Sequence, residues 1–157
     1  MKVDIISIEL VPKEFRSEVK KLIKSIAKSC ENKQSFTVCF IDEAEMIDLQ
    51  KQFKNKSIVT DVLSFPLPEM EKSFSHTKHL LGDIVICVEQ AHKQAKELGH
   101  DFINEIAVLT VHGLCHLLGF DHELGEEEAL AQMQAEIEIL QKASLESFIG
   151  LIARNIA

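Results

Sequence analysis

The stretch His112-Gly113-Leu114-Cys115-His116-Leu117-Leu118-Gly119-Phe120-Asp121-His122 decides how the rest of this chain is read. Its three histidines and the second of its two glycines, Gly119, follow the spacing H-x-x-x-H-x-x-G-x-x-H. His112 and His116, four residues apart in an apolar segment, project from one face of a helix one turn apart, close enough to share a metal ion. Gly119 supplies a sharp turn, since glycine takes positive φ without strain, and the turn swings His122 toward the same ion. Three neutral imidazoles suit zinc, one ion per chain, and leave a fourth position open to water or substrate. Nickel and copper suit imidazole as well. Cys115 falls about 100° from His116 on the helical wheel, so it is expected to be a small buried apolar residue and not a fourth ligand.

The spacing is that of the metzincin zinc peptidases with one letter changed. The glutamate that follows the first histidine there, and acts as general base, is here Gly113, so a metal frame stands without the usual peptidase base. Asp121, beside the third histidine, is the nearest replacement acid; it could act as a base or orient a histidine. Phosphodiester cleavage asks instead for positive charge on the developing phosphorane oxygens, which a metal ion and a nearby lysine can supply.

A chain of 157 residues fits one domain spanning 1–157, long enough to bury roughly 70% of its unfolded surface. Cys30, Cys39, Cys87 and Cys115 show no C-x-x-C spacing and sit in apolar or helical settings, which predicts reduced thiols and a cytoplasmic location. The start, Met1-Lys-Val-Asp-Ile, lacks the features of a signal peptide, and no run approaches the roughly 20 apolar residues of a membrane span. A soluble protein with no membrane partner is expected. The net charge of −8 argues at first against a polyanionic partner, yet the charges are segregated. Arg16, Lys20, Lys24 and Lys28 recur every fourth residue beside a buried stripe of Phe15, Val19, Leu22, Ile23 and Ile26, either as a solvated face or as one that meets phosphate. Residues 51–56 hold three lysines and no acid, while acids concentrate at Asp42 to Asp48 and Glu123 to Glu138.

Periodicity and turn residues predict an α+β fold in one compact domain: a small mixed sheet of about four strands with about five helices, one of them a metalloprotease-like zinc helix. Strands are expected at Val3 to Leu10, Ser35 to Ile41, Val62 to Phe65 and Gly82 to Val88. The first helix follows Pro12; Asp42 caps a second that runs to about Phe53. A third covers Glu89 to Leu98 with Gly99 as its C-cap, and Asp101 caps the helix that carries His112 and His116 and ends near Gly119. Glu126 to Ala143 forms a further helix with Leu130, Met133, Ile137 and Leu140 inward, and Leu145 to Ile152 add a last segment. Asn55 to Val59 reads as a loop, and the polar stretch after Pro66 and Pro68 through His79 as an exposed loop.

Three segments together, HGLCHLLGFDH (112–122), TDVLSFP (60–66) and LGDIVIC (81–87), resemble the bacterial YbeY family of rRNA maturation factors. The resemblance implies a zinc-dependent, single-strand-specific endoribonuclease of 16S rRNA 3′ end maturation and ribosome assembly. Its partners would be ribosomal RNA, the small ribosomal subunit with its proteins, and an assembly GTPase, with no role for DNA. It implies His112, His116 and His122 as zinc ligands, with His112 counted also among the catalytic residues. Thr60, Asp61 and Ser64 would lie beside the metal as substrate-binding residues, with strand-start capping as the plain alternative for each. Asp83 would open a central strand. Where the family pattern has an arginine important for activity, this chain has Lys54, which keeps the charge as a point charge without the bidentate fork. Lys54 would contact substrate and neutralise a phosphate oxygen, and Asp121 would relay a proton. Two other readings stay open: a non-catalytic assembly factor with a structural zinc, and a metallopeptidase with a replaced base.

Overall fold

The computed structural model describes residues 1–55, 60–68 and 79–150. The loop expected at Asn55 to Val59 and the polar stretch through His79 fall largely outside them. Strand β1 (Lys2–Ile6) is followed by helix α1 (Arg16–Ser29), β2 (Ser35–Ile41) and α2 (Glu43–Lys54). Then come β3 (Val62–Pro66), β4 (Leu80–Cys87), α3 (Val88–Leu98), α4 (Phe102–Leu117) and α5 (Glu126–Lys142), with a 3-10 turn at His122–Leu124. The four strands lie in the order β1-β2-β4-β3. β1 and β4 run parallel to β2, while β3 runs antiparallel along β4, so the sheet is mixed and the domain α+β as expected.

Alternation along β2 and β4 explains the layers. Phe36, Val38, Phe40, Ile84 and Ile86 are fully buried on one face, against Val19, Ile23 and Ile26 of α1, Ile106 and Leu114 of α4 and Leu140 of α5. On the other face Ile41, Val85 and Cys87 meet Leu63 of β3 and Met46 of α2. A strand buried on both faces reads as a continuous apolar run, which is what β4 shows from Ile84 to Cys87. Helix α4 is apolar nearly all round, and it packs on β3, β4, α1, α3 and α5 at once.

Several expectations shift, while the caps at Asp42 and Gly99 hold. The first strand stops at Ile6, because Ser7 turns left-handed (φ 60°) and Ile8–Leu10 continue as a 3-10 turn. Asp42 caps α2 by accepting from Glu45 N at 2.8 Å, and Gly99 ends α3 at φ 71°. Asp101 sits at the N-cap of α4 in extended conformation without a side-chain hydrogen bond to the helix. Arg16 leaves the basic stripe, since its guanidinium donates to the Val11 and Glu9 carbonyls at 2.7 Å each. Residues 146–150 form a 3-10 turn in place of the start of a last helix. The inward face of α5 is also rotated: Leu130 is 56% exposed, and the buried positions include Gln132 and Glu136. Ile139 and Leu140 of α5 still join the core, while Gln132 and Glu136 turn toward His122 and His112.

Gly113 marks the closest approach of α4 to the sheet. A Cβ there would lie 2.7 Å from Ile84 Cγ2 and 3.2 Å from Ser64 Oγ. Gly113→Ala is therefore expected to cost about 1–3 kcal/mol in denaturant unfolding. Ile84→Ala should absorb part of that cost, giving a double variant more stable than the two single losses would add to. Gly113→Glu, which restores the peptidase letter, should give a destabilised protein without proteolytic activity, because its side chain would meet the sheet.

Candidate metal centre

The C-terminal turn of α4 builds the site from backbone hydrogen bonds. Gly119 (φ 101°) donates to the His116 carbonyl at 3.1 Å and Phe120 donates to the Cys115 carbonyl at 3.0 Å. This paired arrangement closes a helix around a left-handed residue. The chain then reverses into the 3-10 turn, where Asp121 Oδ1 accepts from Glu123 N at 3.0 Å, and His122 comes back over the helix end. One potential ligand atom from each of His112, His116 and His122 lies within 4.8 Å of the others.

The donor set fits a metal ion. His112 Nε2 and His116 Nε2 stand 3.2 Å apart, close to the roughly 3.3 Å edge that two nitrogens make on a tetrahedral ion at 2.0–2.1 Å. The other nitrogen of His112, Nδ1, faces Glu136 Oε1 at 2.7 Å, so Nδ1–H donates to the carboxylate and Nε2 keeps its lone pair for the ion. Gln132 completes this support by accepting from His122 N at 2.9 Å through Oε1, while its amide nitrogen lies 3.1 Å from His112 Nδ1. His122 Nδ1 is buried without a hydrogen-bond partner among the described residues. Burial, then the adjacent His112 and His122, hold His116 below its ordinary value of 6.5, which favours the neutral ligand form. Burial pushes the Cys115 thiol well up, and the residue is fully buried in the core, so it is no fourth ligand.

The histidines open on a cleft of about 640 Å³ whose walls include Lys54, Thr60, Asp61, Ser64 and Asp121. The three histidines, Lys54, Thr60, Asp61, Ser64 and Asp121 thus line one space, whereas Asp83 is exposed within β4 and lies outside it. Phe53 packs on Phe65, ring centroids 5.1 Å apart, and so fastens the end of α2, with Lys54, against β3. Ser64 Oγ donates to the Gly113 carbonyl at 3.2 Å. Asp61 is held at both oxygens: Oδ1 accepts from Val62 N at 2.8 Å and Oδ2 from Gln94 Nε2 at 2.7 Å. Gln94 also reaches Glu105 Oε1 at 3.0 Å, and Glu105, fully buried, pairs with His100 at 2.5 Å.

Sequence reasoning missed Gln132, Glu136, Gln94, Glu105 and Gln50. The last is buried in the cleft wall with Oε1 unpartnered among the described residues. A signal existed for two of them. Gln132 and Glu136 stand four apart, one helical turn, amid the apolar residues of α5.

Glu136→Ala should weaken divalent metal binding about 10- to 100-fold in a competition titration against a chelator, and Glu136→Gln should retain more of it. Unchanged affinity would remove Glu136 from the site. His116 also predicts an acid-sensitive metal-free protein. Folding lowers its value, so the stability it contributes is complete above 6.5 and is lost as pH falls through the depressed folded value. His92, stacked on Phe102 with centroids 3.8 Å apart, is lowered by burial and adds in the same direction. Chelator-treated protein should unfold at lower denaturant concentration about one pH unit below 6.5 than about one unit above it.

The sequence pattern of the family described as Endoribonuclease YbeY matches residues 4–144. The protein named Endoribonuclease YbeY of Thermoanaerobacter sp. (strain X514) is 36% identical over 156 residues, covering 92% of each chain. Its namesake from Macrococcus caseolyticus is 49% identical over 94 residues, 59% of this chain and 61% of the relative. A Thermotoga maritima protein solved in solution superposes with a TM-score of 0.55 at 26% identity, covering 89% of this chain and 90% of the other. The match across residues 4–144, together with the relative aligned over nearly its full length, places this chain in the endoribonuclease YbeY family.

Proposed function

We propose that this chain is a zinc-dependent, single-strand-specific endoribonuclease that acts in the cytoplasm on small-subunit ribosomal RNA, at 3′ end maturation and ribosome assembly. Membership of the endoribonuclease family supports the reaction class. The observation that carries the reading to named residues is the convergence of three imidazoles, Lys54 and Asp121 on one cleft. Ribosomal proteins and an assembly GTPase are partners this reading entails, and no DNA substrate belongs to it.

His112, His116 and His122 would hold the zinc, with Glu136 and Gln132 fixing the orientation of His112 and the backbone of His122. When bound, zinc supplies Lewis-acid stabilisation of a phosphoryl oxygen and lowers the pKa of a water ligand. Lys54, exposed at the end of α2, can swing to a non-bridging phosphate oxygen and neutralise the charge that develops there. Asp121 has Oδ1 engaged by Glu123 N, and its second oxygen, without a hydrogen bond among the described residues, would take up or return a proton. Asp61, held at both oxygens, would shape the cleft wall and position Thr60 beside it, more than it would contact RNA. Ser64 would present its hydroxyl between the sheet and the metal helix.

Purified protein loaded with zinc should cleave a single-stranded RNA oligonucleotide, lose the activity with a chelator, and regain it on zinc addition. His116→Ala should abolish cleavage. Lys54→Ala should lower kcat by about 10- to 100-fold, and Lys54→Arg should equal or exceed the parent rate, since the guanidinium fork grips phosphate at two oxygens. Absence of chelator-sensitive cleavage would overturn the catalytic reading.

A further inference from the structure

Among its described residues the cleft is poor in positive charge. Lys54 is the one lysine or arginine among its described lining residues, and it shares the walls with Asp61, Asp121 and Glu123. A divalent ion and Lys54 together only balance those three acids. Affinity for a polyanion comes mainly from cations that displace condensed counterions, and in a chain of net charge −8 a described surface that gathers them stands out.

Helix α1 provides that surface. Lys20, Lys21, Lys24 and Lys28 are all exposed, and at 100° per residue they fall within an arc of about 100° that contains no acid of the helix. None of the four makes an ion pair or a side-chain hydrogen bond among the described residues. Val19, Leu22, Ile23 and Ile26 are buried on the opposite side, which holds the lysines outward. From Lys20 to Lys28 the helix rises about 12 Å. Residues 13–28 carry a net +4, against −8 for the whole chain.

The arc also indicates what it meets. Between the lysines it offers only Ser17 and no apolar or aromatic side chain, whereas protein docking surfaces depend on such anchors at their centre. Lysine is a point charge on a flexible stem, adequate for phosphate in any register. Helix α1 packs on β1, the edge strand opposite the β3 edge that walls the cleft, and along α4 and α5, with its lysine face turned away from all three. A strand seated at the metal reaches α1 only if the RNA extends well beyond the cleft.

We propose that the lysine face of α1 is a second RNA-binding surface that grips the phosphate backbone of the substrate beyond the cleft, a proposal that rests on the RNA substrate inferred above. It contributes affinity without sequence preference and acts only on long RNA. The test uses the zinc-loaded full chain and a variant with Lys20, Lys21, Lys24 and Lys28 all changed to Gln. On a long structured RNA the variant should bind more weakly, and its plot of log affinity against log salt should be shallower by about 3. Cleavage of a short single-stranded oligonucleotide and the thermal midpoint should match the parent. A Lys93→Gln/Lys96→Gln variant on α3 serves as control for charge removed elsewhere. An unchanged salt slope, as expected if the face serves an acidic protein, or an equal loss per charge in the control, overturns the proposal. If neither parent nor variant cleaves the short oligonucleotide, the endoribonuclease reading fails, while the salt slopes still decide whether α1 binds RNA.

Discussion

Helix α4 lies so close to the sheet that position 113 has room for a hydrogen and little else, with Ile84 on one side and Ser64 on the other. That approach fixes the depth at which His112 and His116 emerge, and it joins β3 to the helix through the Ser64 bond to the Gly113 carbonyl. Cleft and core are therefore one construction. The same contact explains why this chain departs from the peptidase pattern at Gly113. A carboxylate here would have to be accommodated between helix and sheet, so charge around the three histidines has to come from other elements.

Those elements act at two levels. Around the histidines, α5 provides a buried carboxylate and a buried amide where an amphipathic helix would ordinarily place leucines, and both are occupied by the ligands. Buried polar groups are costly unless paired, so the pairing of Glu136 with His112 orients the ligand and removes the penalty at once. At the cleft wall, Gln94 ties Asp61 to Glu105 and His100, linking the start of β3 to α3 and to the first turn of α4. The wall facing the substrate is thus anchored on two further helices.

Much of this was legible from local pattern. The alternation in Ser35–Ile41, the apolar run into Cys87, the capping Asp42 and Gly99 and the histidine spacing are all properties of short windows, and the elements follow them closely. What local pattern could not show is what each side chain meets. Leu130 completes an apolar stripe on a helical wheel, yet the helix turns it outward, because Gln132 and Glu136 have partners 10 and 24 residues away in sequence. Arg16 fits the spacing of the lysine stripe, yet it is spent on two carbonyls of the preceding segment. The Asp61 network is distributed over three elements, and no single window contains enough of it to be noticed.

The partner of His112 lies 24 residues further along the chain. During synthesis the histidine motif therefore leaves the ribosome before the helix that orients its first imidazole. Until α5 has emerged and docked, His112 lacks the carboxylate that selects its tautomer, and an ion captured early would be held by poorly aimed ligands. Tight metal loading would then wait until α5 has docked.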